Sequence, residues 1–270
     1  MKHAVLGDPI AHSLSPVLHR AGYAELGLDH DYDAVRVPAG GLAAFFDTLD
    51  GGWRGLSLTM PLKREVLALV AEQSETVRIS GAANTVLLAD GERHLDNTDL
   101  PGAAAALRER YRGPISAITI VGAGATAASV GLALVGLGAE RVRLLARSPE
   151  RAAETAEAVR RHPAAPTVEV SGLDDAVTGE VVVSTVPAEA QDESLMARCL
   201  AVPVVFEVIY DPWPTPLAAA AIEAGKVLVG GLDLLVHQAA LQFEMFTGQA
   251  APLTAMRAAG ERALTERSHA

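Results

Sequence analysis

This sequence is short of several things, and each shortage closes off a class of protein. It has one cysteine, Cys199, in 270 residues, so it can build neither a disulfide framework nor a cysteine-based metal centre. Aromatic residues make up only 4%. No uninterrupted apolar run reaches the roughly 18 residues that would suggest a transmembrane helix. Positive charge is scarce: the formal net charge is −11, which argues against nucleic acid or an anionic membrane as a partner. Lysine is scarcer still, because of 22 basic residues only Lys2, Lys63 and Lys226 are lysines and the rest are arginines. The opening segment, MKHAVLGDPIAHSLSP, lacks the continuous apolar stretch of a secretion signal, so a cytoplasmic location is expected.

What is present is ample apolar material. Half the residues are apolar and 20% are charged, which suits a globular chain of one large or two modest domains. The most informative stretch is Ile118–Arg151. A β-branched run, Ile118 to Val121, stops at Gly122-Ala-Gly124-Ala125-Thr-Ala127, a small-residue helical stretch follows, and a second apolar run covers Val142–Ala146. Strand, tight turn, helix and strand in that order form a dinucleotide-binding unit. Gly122 would make the turn, Gly124 would let backbone approach a pyrophosphate, and Ala127 would let the helix pack closely on the strand. The helix N-terminus offers free N–H groups to the phosphates. Where NAD sites usually carry an acid, the second strand ends Ala146-Arg147-Ser148-Pro149-Glu150-Arg151. Arg147, Ser148 and Arg151 suit a 2′-phosphate, so NADP is the expected cofactor.

Before this stretch the chain alternates strand and helix signals: strands at 4–7, 32–37, 55–59 and 83–88, with helices at 15–26, 42–49 and from Pro61 to about 70. Ser15 is the expected N-cap of the first helix, with Pro16 at its first position, and Asp99 the expected cap of a helix over 103–111. After it, strands at 168–170, 181–186, 204–209 and 227–229 and a helix at 216–224 continue the alternation, which implies a parallel doubly wound sheet. A long amphipathic helix over 232–246 then leaves the cofactor domain and returns to the first. The expected organisation is α/β, with a substrate domain over 1–102 and 238–270, including the C-terminal helices, and a Rossmann-like NADP domain over 103–237.

Polar islands in the first domain exceed what its secondary structure needs. Ser13 and Ser15 at a strand-to-helix transition make a plausible carboxylate site. Ser57-Leu-Thr59-Met-Pro61-Leu-Lys63 lies at a strand's C-terminal end, where open α/β sheets bind ligands. Arginine cannot release a proton near neutrality, whereas a partly desolvated lysine can. A lysine kept here, in a chain that uses arginine elsewhere, points to a titratable amine or a compact charge. Asn84, Thr85, Asn97, Thr98 and Asp99 add amides, hydroxyls and a carboxylate, and Asp99 with Lys63 would make a proton-transfer couple. His12, His19 and His237 lack metal-ligand spacing, and no metal is expected.

Taken together, these islands resemble the shikimate dehydrogenase family, in order and over nearly the whole chain. GDPIAHSLSP resembles its GxPIxHSxSP opening, which implies that Ser13 and Ser15 hold a carboxylate. GLSLTMPLK resembles GxNVTxPxK, implying Lys63 as the catalytic lysine and Thr59 as a substrate contact. GAANTV and DNTDLPG resemble GAxNT and GxNTDxxG, implying that Asn84 and Asp99 bind substrate hydroxyls and that Asp99 partners Lys63. GAGATA and ARSPER resemble the NADP turn and its basic clamp. YDPWPTPL makes Tyr210 a site residue, and GLDLLVHQAALQFEMFTG implies Gln238 as a substrate ligand with Gly231 near the nicotinamide. There are departures. Ser57 stands for the usual Asn, Ala146 for the Asn before the clamp, Glu207 for Asp and Leu234 for Met, and Val183–Pro187 is a loose version of its motif. The resemblance implies NADPH-dependent reversible reduction of 3-dehydroshikimate to shikimate by a monomer or homodimer. A broader quinate/shikimate dehydrogenase and a non-catalytic NADP sensor on the same scaffold are the alternatives.

Overall fold

A computed structural model of the chain describes residues 1–89 and 91–268, and the side chains of all of these except Arg151 and Ser268. The chain divides into two compact units, Met1–Thr98 with Leu235–Ala270, and Asp99–Leu234.

In the first unit the elements run β1 (Lys2–Gly7), α1 (Ser15–Glu25), β2 (Asp31–Arg36), α2 (Leu42–Phe46), β3 (Trp53–Leu58), α3 (Leu62–Glu65), β4 (Glu72–Gln73), α4 (Glu75–Ser80), β5 (Thr85–Ala89) and β6 (Glu92–Asp96). They form one six-stranded sheet in the order β2-β1-β3-β5-β6-β4. β1 pairs in parallel with β2 and β3, whereas β5 runs antiparallel to β3 and β6. The alternation of strand and helix signals does not show this reversal. Ala89 pairs with Glu92 across a tight turn that includes Gly91 at φ +82°, and Asp-Gly between two strands is a hairpin signal. The buried faces of β1, β3 and β5 pack with Leu42, Phe46, Leu62 and Val66 into a single apolar core.

The second unit continues as α5 (Asp99–Arg110), β7 (Ala117–Val121), α6 (Ala125–Gly136), β8 (Arg141–Ala146), α7 (Pro149–Arg160), β9 (Thr167–Gly172), β10 (Val181–Ser184), α8 (Glu193–Cys199), β11 (Val204–Glu207), α9 (Pro216–Glu223) and β12 (Val227–Val229). Its six strands, in the order β12-β11-β10-β7-β8-β9, are all parallel. The order reverses between β7 and β10, the point at which doubly wound sheets bind ligands beyond the strand ends. The expected parallel doubly wound sheet is present.

Two helices close the chain, α10 (Gly231–Thr247) and α11 (Leu253–Ser268). The sequence reading puts the unit junctions at 102/103 and 237/238; in the structure they fall at 98/99 and 234/235. α5 begins earlier than expected, and α10 starts in the second unit and continues into the first. In the first unit α11 packs on α1, and α10 presents Phe243 and Phe246 to the places where Gly22 and Gly55 lack a side chain. Any Cβ at Gly55 would run into the Phe246 ring. Among the described residues no helix is long and apolar enough to cross a membrane.

Candidate active site

In the first unit the expected site residues gather where the C-terminal end of β3 meets the start of β5. The two strands are antiparallel, with Ser57 opposite Thr85, so these two ends fall together. Thr59 follows β3, its N–H bonded to Leu6 O at 2.9 Å and its O receiving Leu62 N–H at 2.8 Å. Its methyl lies over Gly7, where a Cβ would collide with it. Lys63 lies on α3 and is half-buried, and its carbonyl accepts the N–H of Ala83 at 2.8 Å. The next residue is Asn84, whose own carbonyl accepts Leu58 N–H at 2.7 Å. Thr59, Lys63 and Asn84 are thus joined by main-chain bonds within a few residues of each other.

Asn84 is buried, and its Nδ2 donates to Thr98 Oγ1 at 2.9 Å and to Gln238 Oε1 at 3.1 Å. Its Oδ1 accepts from Thr98 N at 2.9 Å and Thr85 Oγ1 at 2.8 Å. The first unit therefore brings two of the expected ligands, Asn84 and Gln238, into direct contact from positions 154 residues apart. Asn97 has a different task, because its amide donates to Ser80 Oγ and Ala82 O, both at 3.0 Å. Asp99 is buried and is the first residue of α5, not the residue before it; a carboxylate in the first turn is favoured by the helix dipole.

The serine pair is arranged differently from expectation. Leu14 occupies the N-cap of α1 with no side-chain cap, and Ser15 is the first helical residue, with Pro16 next. Ser13 Oγ instead accepts the N–H of Ser15 at 3.3 Å. The Ser13 hydroxyl, not that of Ser15, thus serves the helix start, and Ser15 sits buried behind it.

In the second unit β7 is followed by Gly122, whose φ of +109° is a left-handed conformation that favours glycine. A Cβ there would also strike Thr185 Oγ1, which follows β10 and donates to Val121 O at 3.0 Å. The turn therefore lies at the reversal point of the sheet. Gly124 is the N-cap of α6, extended and without a side-chain cap, and its missing Cβ faces open space. That is a cradle a side chain would fill, and beside it the first N–H groups of a twelve-residue helix have no capping side chain. Ala125 is half-buried and Ala127 fully buried. Further along α6, Gly131 also approaches the sheet closely. A Cβ at Gly131 would stand 2.9 Å from Ile120 and 3.1 Å from Val159. Thr155 of α7, which no sequence motif marks, donates its hydroxyl to Ala123 O at 2.8 Å and holds the turn.

At the end of β8, Arg147 is exposed and Ser148 half-buried; the side chain of Arg151 lies outside the described residues. Glycine turn, uncapped helix and exposed arginine together fit a dinucleotide carrying a 2′-phosphate. Beyond β11 the half-buried Tyr210 follows a turn held by Glu207. Glu207 is fully buried and accepts from Gln191 Nε2 at 2.6 Å, Thr215 Oγ1 at 3.1 Å and Ile209 N at 3.0 Å. Burial pushes its carboxyl up to about 7 against these stabilising donors. Gly231 lies against the same turn, since a Cβ there would stand 2.5 Å from Val208 O.

Comparison with known proteins agrees with both units. The model of the shikimate dehydrogenase substrate binding domain matches residues 5–86, and that of the shikimate 5′-dehydrogenase C-terminal domain matches residues 231–259. Residues 117–201 match a model described as NADP oxidoreductase, coenzyme F420-dependent. A shikimate dehydrogenase (NADP(+)) of Desulfitobacterium hafniense is 34% identical, over 98% of this chain and 99% of that protein. The crystal structure of Mycobacterium tuberculosis shikimate dehydrogenase superposes with a TM-score of 0.87 at 36% identity, covering 97% of this chain and 99% of that one. That of the Thermus thermophilus enzyme, in complex with NADP(H) and shikimate, gives 0.84 at 31% identity, covering 98% and 100%. With relatives above 30% identity matched end to end, the chain belongs to the shikimate dehydrogenase family.

Proposed function

We propose that this protein catalyses the reversible reduction of 3-dehydroshikimate to shikimate with NADPH, in the cytoplasm. The observation that carries the reading is the buried contact of Asn84, Thr98 and Gln238 beside Thr59 and Lys63. Amides and hydroxyls clustered at one strand end suit a small ring bearing several hydroxyls. Ser13 and Ser15 hold the substrate carboxylate, and Thr59, Asn84, Asp99, Tyr210 and Gln238 hold its oxygens. Lys63 delivers the proton to the carbonyl oxygen, or holds the alkoxide as it forms, with Asp99 as its partner. Bound NADPH supplies the hydride. Gly122, Gly124, Ala125 and Ala127 receive its diphosphate, Arg147, Ser148 and Arg151 its 2′-phosphate, and Gly231 lies near its nicotinamide.

The test is a steady-state assay of shikimate and quinate against NADP and NAD. Turnover with shikimate and NADP far above the other three pairs is expected, and faster turnover of quinate or with NAD would overturn the assignment. A flat absorbance trace despite tight NADPH binding would favour the sensor alternative.

The cofactor preference has its own test. Losing a charge-assisted bond to the 2′-phosphate costs about 1.5–3 kcal/mol. Arg147→Ala is therefore expected to raise the KM for NADPH about tenfold or more while leaving that for NADH nearly unchanged. An unmoved ratio of the two would remove Arg147 from the clamp.

A further inference from the structure

The amides of Asn84 and Gln238 are useful to a ligand only if each points one way, since oxygen and nitrogen exchange places when an amide flips. A second glutamine, one turn along α10, bears on this. Gln242 is fully buried, and its Nε2 donates to Asn84 O at 3.0 Å and Thr85 Oγ1 at 2.9 Å. Its Oε1 accepts the hydroxyl of Ser57 at 2.8 Å, and Ser57 Oγ in turn accepts the phenol hydrogen of Tyr32 at 2.5 Å. The Tyr32 ring is itself held by His19, stacked at 4.1 Å between centroids.

These bonds have a direction. Because Tyr32 donates to Ser57, the one Ser57 hydrogen is available for Gln242 Oε1. That leaves Gln242 Nε2 facing Thr85 Oγ1, whose hydrogen then goes to Asn84 Oδ1 at 2.8 Å. Asn84 Oδ1 also accepts the main-chain N–H of Thr98 at 2.9 Å, and Asn84 Nδ2 faces Gln238 Oε1 at 3.1 Å. Gln238 is left with its Nε2, of which one hydrogen goes to Leu235 O at 3.1 Å. Flipping any amide in the series would set oxygen against oxygen or hydrogen against hydrogen in a buried site, where each unmade bond is costly.

We propose that Ser57 and Gln242 are positioning residues, which hold the Asn84 main chain and, through Thr85, its side chain in place beside Gln238 for the substrate. The inference rests on the reading of those two amides as substrate ligands. Serine at 57 is a departure from the family pattern, and here it completes the relay: its single hydroxyl hydrogen passes Tyr32's donor direction on to Gln242.

The experiment is steady-state kinetics on Ser57→Ala and Gln242→Leu, with the thermal midpoint of each variant recorded. Without the Ser57 hydroxyl Gln242 Oε1 loses its donor in a buried site, and the hold of Gln242 on Asn84 O and Thr85 Oγ1 loosens. Ser57→Ala is expected to raise the KM for shikimate about tenfold, with kcat within about threefold of wild type and the KM for NADP unchanged. Loss of binding felt equally in ground and transition states has that signature. Gln242→Leu is expected to do the same or more, and if it fails to fold, Ser57→Ala decides. A KM for shikimate within twofold of wild type overturns the inference, as does a parallel rise in the KM for NADP, which would mark general loosening. Wild-type turnover separates the two levels: an inactive wild type overturns the functional reading and this inference with it, whereas an active wild type beside an indifferent Ser57→Ala overturns the inference alone.

Discussion

Lys63→Ala is expected to lower kcat by about 10²–10⁴, the usual range for a general acid–base group. That is about 2.7–5.4 kcal/mol of transition-state stabilisation. The carbonyl oxygen gains a full charge as hydride arrives, so an ammonium placed there matters more to the transition state than to the bound ketone. The KM for shikimate should consequently change much less than kcat. Lys63 is well placed to be stiff: its carbonyl is bonded to Ala83 N–H, next to Asn84, and the neighbouring Leu62 is fully buried. A variant that keeps near-wild-type kcat would rule out the proton-transfer role. One that loses kcat and thermal stability together would be read as unfolded and repeated with Lys63→Met, which keeps the apolar stem.

The second large effect is on stability, in mild acid. His3 and His19 are buried among Tyr23, Tyr32, Phe243 and Phe246, and neither ring nitrogen of His19 makes a hydrogen bond. Burial, helped by their mutual repulsion, holds His19 down to about 3, and burial holds His3 down to about 4. The unfolded chain takes up these protons near pH 6.5, before the folded one does. The stabilisation is therefore complete above pH 6.5 and drains away as pH falls toward 4 and then 3. By pH 5 each histidine has forfeited about 2 kcal/mol, a large part of the net stability of a typical domain.

Glu207, in the other unit, has the opposite sign. Its folded value near 7 means that the buried carboxyl gains a proton as pH falls, returning about 2 kcal/mol over the same range. The informative comparison is therefore between wild type and His19→Phe, in which Glu207 is common to both. Phe keeps the ring against Tyr32 and removes the titration. Between pH 7.5 and 5, urea denaturation is expected to cost the wild type about 2 kcal/mol more than the variant. Equal losses in the two proteins would count against the buried-histidine account.

How much of this is legible in the sequence depends on how local the cause is. The βα turn at Gly122–Ala127 depends on neighbours in the chain, so glycine spacing between an apolar run and a small-residue helix is enough to find it. The serine pair is nearly as local, yet the roles are exchanged because Pro16 lies one place further into the helix than expected. The relay through Tyr32, Ser57 and Gln242 is another matter. Its members are up to 185 residues apart in a single bond, and no spacing rule reaches that far. One signal was available: Gln242 lies one turn from Gln238 on the apolar face of a long helix, and a buried amide there must have a partner. The strand at 83–88 is legible, but its antiparallel direction and its partner β6 are not, because the strand–helix alternation around them suggests parallel pairing.

The first unit is closed by Leu235–Ala270, a stretch that follows the whole second unit in the chain. Phe243 and Phe246 fill the spaces over Gly22 and Gly55, and α11 lies on α1, so the first 98 residues cannot reach their final packing alone. Residues 99–234 are contiguous and hold a complete six-stranded sheet. Domains generally fold as units during synthesis, the N-terminal one first; here that order inverts. The second unit can assemble while the first waits, with the apolar surface meant for α10 and α11 still open to water. Apolar surface left open in that interval is what aggregates and what chaperones cover.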